Sequence, residues 1–174
     1  LETAGGKSLG IVAMSPNNLI CARLLSRDVK VPLDKSFLVH RLHVALSLRD
    51  RLFDKPYYRL VFGDSDLLPG LVVDRFGDIL VVQLASATME MHKADVIAAL
   101  VQVVKPSGIL FKNDSAARDA EGLERYVETV FGLVPEWVAL EENGVKFEAP
   151  VIQGQKTGWF YDHRMNRARL APYA

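Results

Sequence analysis

Ile79-Leu80-Val81-Val82-Gln83-Leu84-Ala85, the run from Thr88 to Val104, and Ile109-Leu110-Phe111-Lys112 are the stretch on which the fold turns. The first and last pieces are aliphatic runs of strand length. Between them Thr88 offers a helix cap, Ile97, Leu100, Val101 and Val104 recur at helical spacing, and Lys105-Pro106-Ser107-Gly108 closes the run over about residues 88–104. Strand, helix, strand with joints this short makes a crossover unit, right-handed if its strands are parallel.

Upstream, the spacing predicts strands over Tyr58 to Phe62 and Leu71 to Asp74. Pro69-Gly70 supplies a type II turn and Gly77 a tight hairpin. Asp64 and Asp66 lie in a turn, where aspartates bond their own backbone. A helix over 36–53, capped by Asp34 or Ser36, turns Leu38, Leu42, Ala45, Leu46 and Leu52 inward. Arg41 and Arg49 fall inside that apolar stripe and need partners or a ligand. His40 and His43 share the wet face, with no third metal ligand in view. Downstream, residues 114–130 carry no clear period. Trp137 to Glu142 and Val145 to Val151 flank Asn143-Gly144, a strong hairpin signal. At the other end, residues 9–14 and 19–25 read as two strands joined through Ser15-Pro16-Asn17-Asn18, with Cys21 a small buried thiol in the second. The expected class is therefore α+β, a mixed α/β domain: a central sheet with two main helices, plus a short β-hairpin.

The 174 residues are 49% hydrophobic, and their mean hydropathy is +0.11. No apolar run approaches the roughly 18–20 residues of a membrane span and no secretory signal opens the chain, so a cytoplasmic protein without a membrane partner is expected. One cysteine excludes an internal disulfide and a zinc site built on several thiolates. The net charge of zero hides a pattern: residues 1–55 hold nine Lys/Arg against five Asp/Glu, residues 56–150 eight against fifteen, residues 151–174 four against one. Basic ends around an acidic middle could set two positive surfaces beside a polyanion; ordinary surface scatter describes the same counts.

Chemistry concentrates in Gly154-Gln155-Lys156-Thr157-Gly158-Trp159-Phe160-Tyr161-Asp162-His163-Arg164-Met165-Asn166-Arg167. The glycines permit close backbone approach. Trp159 to Tyr161 read as a short buried strand, and Asp162 as the cap of a helix with Met165, Ala168 and Leu170 at helical spacing. An ordinary turn entering a terminal helix fits the pattern as well. Two glycines nowhere flank a single residue, so the dinucleotide and P-loop fingerprints are absent, as are a Gly-x-Ser-x-Gly elbow and a His-Glu-x-x-His helix. The residues by themselves contain no complete active site.

The block from Tyr58-Arg59-Leu60-Val61-Phe62-Gly63-Asp64-Ser65-Asp66 through Pro69-Gly70 to Asp74-Arg75-Phe76-Gly77-Asp78, the Glu141-Glu142-Asn143-Gly144 hairpin, and the block Gly154 to Arg164 resemble, in that order, the ribosomal RNA large subunit methyltransferase I family. The resemblance implies an S-adenosylmethionine-dependent enzyme making 5-methylcytosine in ribosomal RNA. It implies that residues 1–27 are the end of a PUA-like RNA-binding module, 28–152 a central α/β domain, and 153–174 the lead-in to a cofactor-binding catalytic core. That core, with its nucleophilic cysteines, is not matched here, and Leu1 as first residue fits a fragment. No catalytic residue is therefore assigned and the fragment alone is expected to be inactive. Carried over by resemblance, Gln155, Lys156, Thr157, Asp162, Arg164 and Asn166 border the cofactor pocket or brace its wall; Lys156 and Arg164 suit a carboxylate or phosphate. His163 stands where the family commonly has glutamine. Arg23, Arg41 and Lys156 are the basic candidates for RNA contact. An unpacked C-terminal end would be loose, swapped or a homo-oligomer contact. The alternative is a stand-alone RNA-binding or protein-interaction module whose residues 154–170 fold as part of the domain.

Overall fold

The computed structural model describes residues 1–173; Ala174 lies outside them. Its centre is a five-stranded mixed sheet of β3 (Tyr57–Phe62), β4 (Leu71–Phe76), β5 (Ile79–Leu84), β6 (Gly108–Asn113) and β7 (Tyr126–Gly132), in that spatial order. β3, β4 and β5 form an antiparallel meander, and β5 and β6 are parallel with Ile79 beside Gly108 and Val82 beside Phe111. The turn before β4 is the expected one: Leu71 N–H donates to Leu68 O at 3.0 Å across Pro69-Gly70, with Gly70 at φ 84. Helix α1 (Lys35–Leu52) starts at Asp34, whose carboxylate accepts from Phe37 N–H at 2.9 Å.

Because side chains alternate across strands, the sheet has two different faces. Val73, Leu80, Val82, Ile109 and Phe111 pack on one side against Leu38 and Leu42 of α1 and Val96 and Leu100 of α3 (Lys93–Val104). Phe76, Val81 and Leu110 point the other way and are covered by Val138, Leu140, Ala149 and Val151 from the hairpin β8 (Trp137–Glu142) and β9 (Val145–Pro150), with Tyr161 beyond it. The layers are helices, sheet, hairpin. A separate two-stranded sheet, β1 (Ile11–Met14) and β2 (Ala22–Ser26), joins the helix-side core through Ala13 and Leu25.

Several local expectations are corrected. Thr88 caps nothing: Ser86 accepts from Met89 N–H and starts α2 (Ala87–Met91), and the chain breaks at His92 before α3. Leu52 is exposed, and Phe37 takes the inward place at the other end of α1. Val145, at the start of β9, is exposed. Cys21 precedes β2 and is exposed, since the strand begins one residue later. Residues 114–130 contain a short 3-10 turn (Ala116–Glu121) and most of β7, whose pairing with β6 slips between Ile109 and Leu110. That bulge, on a largely exposed edge strand, erases the alternation by which a strand is recognised.

β7 ends at Gly132, whose φ is 59 and where an added Cβ would lie 1.8 Å from the Ser107 carbonyl oxygen. Gly132→Ala is expected to destabilise the domain by about 2–3 kcal/mol in denaturant unfolding, from left-handed backbone strain and backbone crowding together.

Candidate functional site

After β9 the chain makes a compact loop. Gly154 N–H donates to Pro150 O at 2.7 Å and Gly158 N–H to Gln155 O at 3.0 Å. Lys156 and Gly158 have positive φ, 54 and 94. A Cβ on Gly154 would lie 2.2 Å from Pro150 O, so glycine is required there. The loop turns Thr157 completely inward and leaves Gln155 and Lys156 exposed.

Thr157 Oγ1 donates to Asp74 Oδ2 at 2.5 Å. Asp74 is fully buried, on the same side of β4 as Phe76, and receives a bidentate pair from the neighbouring strand: Arg59 Nε at 2.8 Å and Nη2 at 2.9 Å. A buried carboxylate needs such partners on both oxygens. The hydrogen bond to Asp74 raises the Arg59 pKa, outweighing the opposing effect of burial. Tyr161 adds a second anchor, its hydroxyl donating to Arg75 O at 2.7 Å beside the Phe76 ring. Burial, and then Asp74, push its phenol well above the ordinary value, which keeps it a donor.

Glu142, buried at the end of β8, is the third. Arg167 donates Nε to Oε1 at 2.5 Å and Nη2 to Oε2 at 3.1 Å, Trp159 Nε1 reaches Oε2 at 3.3 Å, and Arg164 Nε lies 3.5 Å away. Burial pushes the Glu142 carboxyl up, but Arg167, Trp159 and Arg164 prevail and hold it below the usual carboxylate value. Arg164 also donates to Tyr57 O, and its guanidinium lies 4.5 Å from the Phe53 ring centroid.

The six candidate residues within the Gly154–Arg167 block therefore divide. Thr157 and Arg164 are committed to internal bonds, whereas Gln155, Lys156, Asp162 and Asn166 are exposed. Asp162 does not cap a helix: it lies inside a 3-10 turn (Tyr161–His163), and α4 (Arg164–Ala168) follows without a side-chain cap. Trp159 and Phe160 form no strand; Met165 is exposed on a helix of little more than one turn, and Leu170 is exposed in the turn after it. Arg23 pairs with Asp64 at 2.8 Å, and Arg41 donates to Leu25 O at 3.1 Å with its guanidinium over Phe37. Arg49 is held bidentately by Asp66 at 2.5 and 2.7 Å, which meets the need for a partner inside the stripe. Asp74, Arg59, Glu142 and Arg167 carry the site's architecture without having been singled out. Asp74 had a signal, an acid ending the apolar run Leu71-Val72-Val73.

Beside these anchors, α1, β3 and the Tyr161–His163 turn enclose a cleft of about 330 Å³. Among the described residues no helix is long and apolar enough to cross a membrane.

No family model matches the chain. Curated relatives do: it is 37% identical over 178 residues to ribosomal RNA large subunit methyltransferase I of Pseudoalteromonas translucida, covering 100% of this chain and 45% of the relative. It is 38% identical over 172 residues to the Aliivibrio fischeri protein of the same name, covering 97% and 43%. The chain is a homologue of the ribosomal RNA large subunit methyltransferase I proteins. It spans under half the length of these methyltransferase I relatives. Among solved structures, one assigned as a SAM-dependent methyltransferase from Streptococcus mutans shares the fold at TM-score 0.82 and 24% identity, over 98% of this chain and 44% of that one. A second, assigned as a methyltransferase complexed with SAH, matches at TM-score 0.82 and 23% identity, over 98% and 43%.

Thr157→Val is expected to cost about 1–3 kcal/mol in denaturant unfolding, because one oxygen of buried Asp74 loses a donor; Thr157→Ser should recover most of it. Since the Glu142 pKa is lowered on folding, its stabilisation is present above the ordinary value of 4.5 and lost as pH falls through and below it. Unfolding followed from pH 6 to about pH 3 should show a loss of stability in wild type that is smaller in Glu142→Gln.

Proposed function

We propose that these residues serve an S-adenosylmethionine-dependent methyltransferase of large-subunit ribosomal RNA, bordering its cofactor pocket and positioning the RNA. The observation that carries this is the similarity of nearly the whole of this chain to part of the methyltransferase I relatives, which includes the block Gly154 to Arg167. The structural neighbour complexed with SAH supports the cofactor. The geometry suits a wall: three internal anchors hold the segment while Gln155, Lys156, Asp162 and Asn166 stand outward at fixed positions. A preorganised wall of this kind places polar groups without reordering them at each turnover.

Chemically, the exposed groups supply recognition. The Lys156 ammonium, 5.3 Å from the Phe160 ring centroid, is a point charge for a carboxylate or phosphate. Gln155 and Asn166 offer a donor and an acceptor each. Thr157 and Arg164 act as positioning residues, since their polar atoms are taken up by Asp74, Tyr57 and Glu142. S-adenosylmethionine, when bound, supplies the methyl group, and the nucleophile is expected from outside these residues. RNA contact through Arg23 and Arg41 belongs to the same proposal, in the form of backbone charge read without sequence.

The test is a chimaera in which this chain replaces the matching part of the Aliivibrio fischeri relative, assayed for methyl transfer from S-adenosylmethionine to large-subunit ribosomal RNA. Activity is expected, with Lys156→Ala lowering kcat/KM by about tenfold, the effect of one charged hydrogen bond of roughly 1.5 kcal/mol. A folded chimaera that binds RNA but transfers no methyl group would overturn the proposal in favour of a binding module.

A further inference from the structure

We infer that the cleft between α1, β3 and the Tyr161–His163 turn is a site for an unstacked nucleobase carrying an exocyclic amino group, held apart from the exposed residues assigned above to the cofactor wall save for Asp162. The inference rests on the RNA methyltransferase reading for its source of bases. Its geometry comes from the cleft alone.

The walls are apolar. Leu48 and Leu52 of α1 and the Phe62 ring of β3 line it, and all three are about half exposed or more, at 49%, 64% and 54%. Such an aromatic and aliphatic slot suits the flat face of a base. The Arg59 guanidinium lies 5.3 Å from the Phe62 ring centroid.

The charges select the ligand. Three guanidinium groups line the cleft: Arg49 and Arg59 are matched by Asp66 and Asp74, and Arg164 shares the Glu142 carboxylate with Arg167. The group left over is an acceptor. Asp162 lines the same cleft, no hydrogen bond from the described residues reaches its carboxylate, and the one ring nitrogen within 4 Å of it is that of His163 at 3.7 Å. Arg59 uses Nε and Nη2 on Asp74, which leaves Nη1 outside that pair. The Asp162 carboxylate and the Arg59 guanidinium, both lining the cleft, present an acceptor and a donor. The Watson–Crick edge of cytosine complements them with its N4 amino donor and its N3 and O2 acceptors. Uracil places a carbonyl oxygen where the amino group would be, opposite the carboxylate. The site reads one base and says nothing of which base is methylated.

The probes are cytidine and uridine, titrated separately into the 174-residue chain and followed by NMR at the methyl groups of Leu48 and Leu52 and the ring of Phe62. Saturable shifts confined to the cleft are expected for cytidine, with uridine weaker by roughly fivefold or more. Asp162→Ala, an exposed position outside the core, should abolish that preference while leaving the uridine response and the unfolding midpoint unchanged. Leu48→Glu, a second variant on the opposite wall, should weaken both nucleosides. Shifts elsewhere on the surface, equal responses to the two nucleosides, no binding, or a cleft covered by a second copy of the chain in sedimentation would each overturn the inference. A negative result here leaves methyl transfer by the chimaera untouched, so the two readings fail separately.

Discussion

The buried carboxylate of Asp74 is the constraint on which the arrangement depends. A charge placed inside the sheet must be met on both oxygens, and the two groups that meet it come from different places: Arg59 from the adjacent strand and Thr157 from a loop 83 residues away in sequence. The first partner fixes the register of β3 against β4, where Arg59 stands opposite Asp74. The second fixes where the chain goes after β9. One carboxylate thereby couples the interior of the sheet to the segment with the most varied chemistry in the protein.

The rest of that segment follows from the same logic. Thr157 reaches Asp74 only because Lys156 and Gly158 adopt left-handed backbone and Gly154 lets the loop close on Pro150. Tyr161 then seats on Phe76, and Arg164 and Arg167 converge on Glu142. Four of the polar residues in the block face inward or are bound, and the others stand outward as a consequence. Buried ion pairs of this kind contribute position more than net stability, which suits a surface whose role is to hold ligand groups in place.

Much of the fold was legible in sequence. The β5, helix, β6 crossover, the Pro69-Gly70 turn, the Asp34 cap and the Asn143-Gly144 hairpin each rest on local chemistry that tertiary structure did not override. β7 was hidden by its bulge and exposure, and the start of α2 by the competition between two hydroxyl residues two positions apart, Ser86 and Thr88, for one cap. In the site, the residue types of the Gly154–Arg167 block were visible but their division was not. Which of Thr157, Asp162 and Arg164 turns inward depends on Asp74 and Glu142, which are distant in the chain, and no spacing rule links them. Asp162 looked like a cap because aspartate before a helical pattern commonly is one; a 3-10 turn in its place left the carboxylate free.

Residues 151–167 are held as a fixed part of this domain by the bonds of Thr157, Tyr161 and Arg167. Amide hydrogen exchange of the 174-residue chain tests this most directly. The N–H groups of Gly154 and Gly158, bonded to Pro150 and Gln155, should exchange far more slowly than those of an unstructured peptide, and their protection should fall in Thr157→Val. Exchange across 151–167 at the rate of an unfolded chain, with the sheet still protected, would contradict the account.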